Sequence, residues 1–298
     1  MTVDVAVLTP TYLDYTFVGL EGLPAPGEER FAGDILRTPG GGGIIALAAA
    51  RLGLSVALVA PLGDDLAGRF VRSALEEDGV EIGEPRGTRT PTTVVMPVQG
   101  ERAMVTVDPG LRARAADIEP YAPRAVAATL EQIDLLPAGP SSYVTCGDDD
   151  ARAFAGRLPH GTRKPRALVV NRREGGLLTG DADPEAMVDK LGDVAETVVV
   201  TLGPEGAIAS VDGRSVRVPG AWAEPVVDTT GCEELFATAF AWAELHDAET
   251  EVALRWAGVY AGLSVTAPTA ARGAVTRERL LDAGAKLELP PLPSSAMA

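Results

Sequence analysis

The run Val227-Asp228-Thr229-Thr230-Gly231-Cys232-Glu233-Glu234 joins turn-forming residues to an apolar-periodic stretch, Leu235, Phe236, Ala239, Phe240 and Ala243. Asp228, Thr229 and Thr230 are turn and cap residues, and Gly231 lets the backbone approach a ligand closely. The pattern predicts a tight turn feeding a helix over 232–245. The first amides of a helix lack intrahelical acceptors and lie at its positive dipole end, so this turn suits a phosphate. Two carboxylates, Glu233 and Glu234, sit in the same first turn. One can take a proton from a hydroxyl, and the other stands where an anion would bind.

Other candidates follow predicted strands. Asp14, after a first strand at 3–8, can hydrogen-bond substrate hydroxyls or be a solvated loop acid. Asn171-Arg172-Arg173-Glu174 closes a strand and opens a helix. Its Asn and Glu can hold a hydrated Mg²⁺ through water, since that ion keeps much of its shell. They equally make an ordinary capping box. In Thr201-Leu202-Gly203-Pro204-Glu205-Gly206 a glycine turn ends a strand, where a purine or phosphate can meet the backbone; a plain β-turn fits as well. The Gly40-Gly41-Gly42-Gly43 run can be a ligand loop or a flexible helix entry. Cys232 reads as a small packed residue, with nothing nearby in sequence to activate it.

Composition narrows the classes. The chain has 298 residues, 46% of them hydrophobic, enough for one large α/β domain. A net charge of −16 argues against nucleic acid or an anionic membrane as partner. Positive groups for a phosphate must therefore come locally, from amides, a metal ion or Arg. Two cysteines and two histidines provide neither a disulfide framework nor a His-based metal site. With no secretory pattern at the start and no membrane-spanning apolar run, a cytoplasmic protein is expected. There is no GxxxxGK[ST] and no GxGxxG after the first strand, which disfavours a nicotinamide-dependent dehydrogenase.

The elements that must position these residues read as follows. Strands are predicted at 3–8, 31–38, 55–60, 142–146, 167–171 and 197–202, with a loop at 9–15 carrying Asp14. Helices are predicted at 44–52 and 64–78, the latter with Phe70, Val71, Ala74 and Leu75 on one face. The strands 92–98 and 102–107 flank Gln99-Gly100-Glu101 and form a hairpin; with 31–38 they make a small sheet projecting from the body. A second hairpin, 207–211 with 215–218, turns at Asp212-Gly213. The last third is helical (232–245, 250–266, 276–283), and 289–298 is a tail expected to fray. Alternating β and α elements imply a mainly parallel sheet covered on both faces, with ligands beyond the strands' C-terminal ends.

Taken in order, these pieces resemble the ribokinase-like (PfkB) carbohydrate kinase family over nearly the whole chain. The matching residues are Asp14, Pro24–Glu28, Pro39-Gly40-Gly41 ahead of Ala48–Gly53, Gly63-Asp64-Asp65, Asn171–Glu174 with Leu178-Thr179-Gly180, Thr201-Leu202-Gly203 with Gly206, and Asp228-Thr229-Thr230-Gly231. None is distinctive alone; their shared order and spacing carry the resemblance. It implies a doubly wound α/β domain over 1–288 with a β-sheet lid drawn from about 14–38 and 88–108. It also implies transfer of a phosphoryl group from ATP, with Mg²⁺, to the alcohol of a sugar-like or nucleoside-like molecule. On that basis Asp14, Gly40, Gly41, Gly42 and the position of Ile45 line the substrate pocket. Asn171, Thr201, Gly203, Gly206, Asp228 and Thr230 border the nucleotide. Glu174 meets the metal through water, and Gly231, Cys232 and Glu233 form an anion hole beside the base, Glu234. An exposed lid edge often takes a partner edge, so a homodimer through the lid is expected.

The chain departs from the family's Gly-Ala-Gly-Asp signature, which here is Gly231-Cys232-Glu233-Glu234. It also has Ile45 where the family's sugar-binding Asn is expected. The intrinsic pKa values of Glu and Asp differ by only about 0.4, so Glu234 keeps the basicity and changes the reach. Glu233 is the harder problem. A carboxylate about 4 Å from a phosphoryl group repels it by roughly 4 kcal/mol at an effective dielectric of about 20. Two readings stay open: a kinase with altered specificity or reduced rate, and a catalytically impaired binding or regulatory protein on the same scaffold.

Overall fold

The computed structural model describes residues 1–98, 101–158, 163–211, 213–221 and 224–292. In chain order the elements are β1 (Thr2–Val7), β2 (Thr11–Val18), β3 (Asp34–Gly41), α1 (Gly42–Arg51), β4 (Val56–Leu58), α2 (Leu66–Glu76), β5 (Glu81–Ile82), β6 (Thr92–Val98) and β7 (Glu101–Val107). There follow α3 (Ala115–Ile118), β8 (Ala122–Thr129), β9 (Ser141–Thr145), α4 (Asp148–Ala153), β10 (Ala167–Asn171), α5 (Arg172–Thr179), α6 (Pro184–Leu191), β11 (Thr197–Thr201), β12 (Ala207–Val211) and β13 (Arg214–Val218). Four helices close the chain: α7 (Cys232–Leu245), α8 (Thr250–Ser264), α9 (Ala270–Gly273) and α10 (Arg277–Lys286).

The Val-rich strands pack side by side because both their faces are buried. The main sheet runs β13-β12-β11-β10-β9-β8-β1-β4-β5. It is parallel from β11 to β5, with β12 and β13 antiparallel at one edge. The two-residue period of a strand divides its side chains between two layers. Val5, Val7 and Val169 join one core with α1, α2, α7 and α8, while Ala6, Leu8, Leu168 and Val170 join the other with α5 and α6. Successive strands are added outward from β1 in both directions, so the order reverses there, and α7 starts on the C-terminal side of that reversal. Along α7 every residue from Leu235 to Ala243 is buried, as befits a helix that is apolar all round. Trp242 packs edge-on against Trp256 of α8, with ring centroids 6.4 Å apart.

The lid is a separate four-stranded sheet in the order β3-β2-β6-β7. Its β2 pairs antiparallel with β3 and parallel with β6, which puts Asp14 in register with Thr38 on one side and Thr93 on the other. β3 runs directly into α1, so the lid joins the body at the same glycine run that opens that helix.

Several local expectations are corrected. The supposed loop at 9–15 is largely strand β2: Thr-Tyr-Leu-Asp-Tyr-Thr-Phe-Val is rich in β-formers, and its single acid disguised it. Pro39-Gly40-Gly41 belongs to β3, an edge strand that needs no donor from Pro39. Strand β8 was unforeseen because Ala-Pro-Arg-Ala-Val-Ala-Ala-Thr reads as helix; its place between β1 and β9 overrides that preference. Phe70 is exposed, leaving Val71 and Leu75 as the buried face of α2. The start of the tail does not fray: Trp256 donates from Nε1 to the Pro290 carbonyl at 3.1 Å, and Leu292 is buried. The hairpin residues Gln99, Gly100 and Asp212, and 293–298, lie outside the described residues. Among the described residues no helix is long and apolar enough to cross a membrane.

Candidate active site

Two adjacent strands end in the residues that open the site. Asn171 closes β10 and Thr201 closes β11, and the two are register partners. Beyond them lies a cavity of about 410 Å³, lined at its polar end by Asn171, Thr201, Gly203, Glu205, Cys232 and Glu233. Its other end is apolar and small-residued, formed by Val218, Ala221, Gly258, Ala261, Gly262 and Val265. A flat aromatic group fits between such walls with a charged group at the polar end. Gly206 lies on the same wall. Arg172 and Arg173 stand at the rim, paired outward with Glu205 at 2.6 Å and Asp148 at 2.8 Å.

The turn before α7 has the geometry the sequence predicts. Gly231 is the N-cap at φ 74°, in the left-handed region. A Cβ there would lie 2.5 Å from Ala270 Cβ and 2.8 Å from Ile44 Cδ1, so space and backbone both require glycine. Asp228 Oδ1 accepts from the Thr230 amide at 2.8 Å, and the Val265 carbonyl accepts from the amides of Val227 and Asp228 at 2.7 and 3.2 Å. The turn is thus tied to the end of α8. Among the described residues the Glu233 amide meets no acceptor. Among the described residues Asp228 Oδ2 and Thr230 Oγ1 are buried and meet no hydrogen-bond partner. Both residues brace the turn from within, and neither lines the 410 Å³ cavity.

Four carboxylates, Glu233, Glu234, Asp14 and Glu174, lie around this turn, and burial opposes their ionisation. Glu233 and Glu234 are half-buried. Burial, reinforced by the Glu233 charge, raises Glu234 to about 7. Burial also raises Glu233, against the pull of the Asn171 side chain and the Arg102 guanidinium. Asp14 rises to about 7, first through burial and then through the charges of Glu234 and Asp228, with a Thr93 hydrogen bond opposing. The Glu234 charge is felt at Asp14, so the lid acid and the helix acid lie within Coulombic reach of each other. Asp14 also lies against Gly40: a Cβ on Gly40 would fall 2.2 Å from Asp14 Oδ2, so only glycine admits the carboxylate there. Gly41 and Gly42 pack against the β1–β2 turn, with Gly42 facing the Thr9 carbonyl. Ile45 is buried in the apolar layer with Val5, Ala49 and Tyr143, while Ile44 reaches the anion turn.

The Asn171–Glu174 motif is a capping box: Asn171 Oδ1 accepts from the Glu174 amide at 2.8 Å, and Glu174 Oε2 accepts from the Asn171 amide at 3.0 Å. Glu174 lies behind Asn171, outside the cavity lining. Burial and then the Glu233 charge push it up to about 9. Two acids that resist ionising together are what a divalent cation relieves. Among the described residues no three His, Cys, Asp or Glu side chains converge to hold a metal directly. The oxygen donors present therefore suit a hydrated Mg²⁺ touched by one or two carboxylates and by phosphates. The cap and the ion-organising roles, alternatives in the sequence, are compatible in one side-chain pair.

One site residue escaped the sequence reading. Arg102, on lid strand β7, donates from Nη1 to Thr229 Oγ1 at 3.0 Å and brings a cation to the anion turn. The available signal was its position beside a hairpin turn in an otherwise acidic chain. Cys146 and Cys232 are both free thiols, and burial, with Glu233 next, raises Cys232 to about 12, consistent with a packing role.

The comparisons agree with this geometry. The sequence pattern of the pfkB family carbohydrate kinases matches residues 17–139 and 127–277. Ribokinase of Bacillus subtilis (strain 168) is 30% identical over 277 residues, covering 86% of this chain and 91% of that protein. The structure of Arabidopsis thaliana ribokinase complexed with ribose and ATP superposes with a TM-score of 0.78 at 23% identity, over 95% of this chain and 99% of that one. Adenosine kinase from Sinorhizobium meliloti superposes with a TM-score of 0.74 at 20% identity, over 96% and 99%. With two sheets, a strand-end cavity and an acid-bearing helix N-terminus in this arrangement, the chain belongs to the pfkB family of carbohydrate kinases.

Proposed function

We propose that the protein transfers a phosphoryl group from ATP to the alcohol group of a sugar-like or nucleoside-like small molecule. One observation carries the proposal: the N-terminus of α7 is a partition. Its Cys232 and Glu233 border a cavity of nucleotide size, and its Glu234 lies within Coulombic reach of the lid acid Asp14. A donor on one side and an acceptor on the other would meet at this turn, beside the open amide of Glu233.

In this mechanism Asp14 orients the acceptor by accepting hydrogen bonds from its hydroxyls. Glu234 takes the proton of the attacking hydroxyl. That oxygen forms its bond to the γ-phosphorus while the bond to the bridging oxygen breaks, its electron pair leaving on ADP. The amides of the Gly231–Glu234 turn donate to the phosphoryl oxygens, whose charge the helix dipole also favours. Asn171 and Glu174, with Glu233, would hold Mg²⁺, which supplies charge neutralisation between the phosphates.

The acid-crowded turn favours one competing reading, a scaffold that binds ligands without turnover. Measuring ADP release over a panel of pentoses, hexoses and nucleosides with Mg²⁺ separates the two. Turnover with one class supports the proposal; folded protein that binds nucleotide but turns over nothing supports the other. The pH dependence is a further check. A base raised to about 7 must ionise before it can accept a proton. With Glu234 as that base, kcat/KM is expected to rise with pH around an apparent pKa near 7, and Glu233→Gln to move that midpoint downward. A rate that is flat or falling between about pH 5.5 and 8.5 would contradict this assignment.

A homodimer through the lid is also proposed. Met104, Val105 and Val107 on β7, the lid's edge strand, are all exposed, which leaves an apolar edge to be covered. Light scattering is expected to give twice the 30.8 kDa chain mass; a monomer at micromolar concentration would contradict it.

A further inference from the structure

The lid brings one cation to a site crowded with acids. Arg102 is half-buried and spans 127 positions of sequence to donate to Thr229 Oγ1 at 3.0 Å. Among the described residues it takes part in no ion pair within 4.0 Å, whereas the rim arginines Arg172 and Arg173 are committed to Glu205 and Asp148. It is also the positive group that acts on Glu233, Glu234 and Cys232 together. The chain thus carries an added acid in its anion turn and a lid arginine over the same turn.

We propose that Arg102 is a phosphoryl-binding residue delivered by the lid: Thr229 holds it over the anion turn, and there its guanidinium meets the terminal phosphate of a nucleoside triphosphate and offsets the charge of Glu233. The inference rests on the phosphotransferase reading and extends it to the group that makes Glu233 tolerable. A guanidinium suits this role, because its planar fork can pair with two phosphate oxygens at once. The neutral Thr229 hydroxyl fixes its starting position without competing for its charge.

The test compares binding of ADP and of a non-hydrolysable β,γ-imido ATP analogue by calorimetry, with Mg²⁺, in the wild type, Arg102→Gln, Arg102→Lys, Glu233→Gln and the double Gln variant. Arg102→Gln is expected to weaken the triphosphate analogue by about 10-fold or more while changing ADP by less than about 2-fold, because only the terminal phosphate meets the lid. Arg102→Lys is expected to recover part of the loss. In the Glu233→Gln background the effect of Arg102→Gln is expected to shrink, since less repulsion is left to offset. Where turnover is measurable, Arg102→Gln lowers kcat more than it changes the KM of the acceptor. Equal weakening of ADP and the analogue, or no change in either, overturns the proposal and leaves the kinase reading standing. A folded wild type that binds neither nucleotide overturns both.

Discussion

Glu234→Gln is expected to lower kcat by about 10² to 10⁴-fold, the usual contribution of a positioned general base. Glutamine keeps the length and shape of the side chain and can still accept a hydrogen bond, but it cannot take a proton near neutral pH. The substitution removes a buried acid that burial and the Glu233 charge already oppose, so the folded state does not suffer. Thermal stability is expected to hold or rise, and binding of the ATP analogue to stay within about 3-fold of wild type, because the phosphate-facing amides are backbone groups. A Glu234→Gln protein that retains more than about a tenth of wild-type kcat would remove Glu234 from the role of base. The same protein losing nucleotide affinity would mean that the side chain shapes the turn instead.

Gly231→Ala is expected to damage both stability and activity. At φ 74° an alanine costs roughly 1–2 kcal/mol. The added Cβ would also lie 2.5 Å from Ala270 Cβ and 2.8 Å from Ile44 Cδ1, both packed in the core. Overpacking of that kind costs about 1–3 kcal/mol, giving roughly 2–5 kcal/mol in all. Relief by movement of the turn would shift the amides, and a shift of about 1 Å costs on the order of 10²-fold in rate. Gly180→Ala is the control: Gly180 also has φ 72°, but a Cβ there meets nothing within 4 Å. It isolates the conformational cost, and urea unfolding should show it losing only about 1–2 kcal/mol. Equal losses at the two positions would show that crowding at Gly231 is unimportant.

The strands and helices legible in the sequence were those whose composition and environment agree. Val-rich β10 and β11, buried on both faces, and α7, apolar all round behind a cap-and-glycine start, fall where the pattern predicts. Where local preference and tertiary place conflict, the pattern misleads. The Ala-rich β8 is held extended by two parallel neighbours, and β2, despite its acid at Asp14, is held between β3 and β6. Of the site itself, the turn at Asp228–Glu234 and the strand ends at Asn171 and Thr201 could be placed from spacing, because each is attached to a regular element. The convergence of Asp14 with Glu234, and the reach of Arg102 to Thr229, depend on how the lid folds over the body. No local spacing encodes that. Ile45 shows the converse: its position in the motif suggested a pocket wall, whereas its side chain fills the layer between α1 and the sheet.

The acids explain why the site reads as a kinase with a difference. Glu233 stands where the family has a glycine, beside Glu174 and Glu234, and both neighbours are raised in part by its charge. Such a turn accepts phosphate when cations gather around it. Arg102 is the one the protein itself brings from the lid, and Mg²⁺ at Asn171 and Glu174 would be the other. The site's polarity is thus set by what is bound, more than in a turn whose first residues carry no charge.

The most direct test is a crystal structure of the wild-type protein with Mg²⁺ and the β,γ-imido ATP analogue. The terminal phosphate is expected at the N-terminus of α7, about 2.7–3.1 Å from the amides of Glu233 and Glu234, with the Glu233 carboxylate turned toward the metal. A nucleotide whose phosphates lie away from that turn, or a Glu233 carboxylate occupying the space in front of its amides, would contradict the role given to the turn.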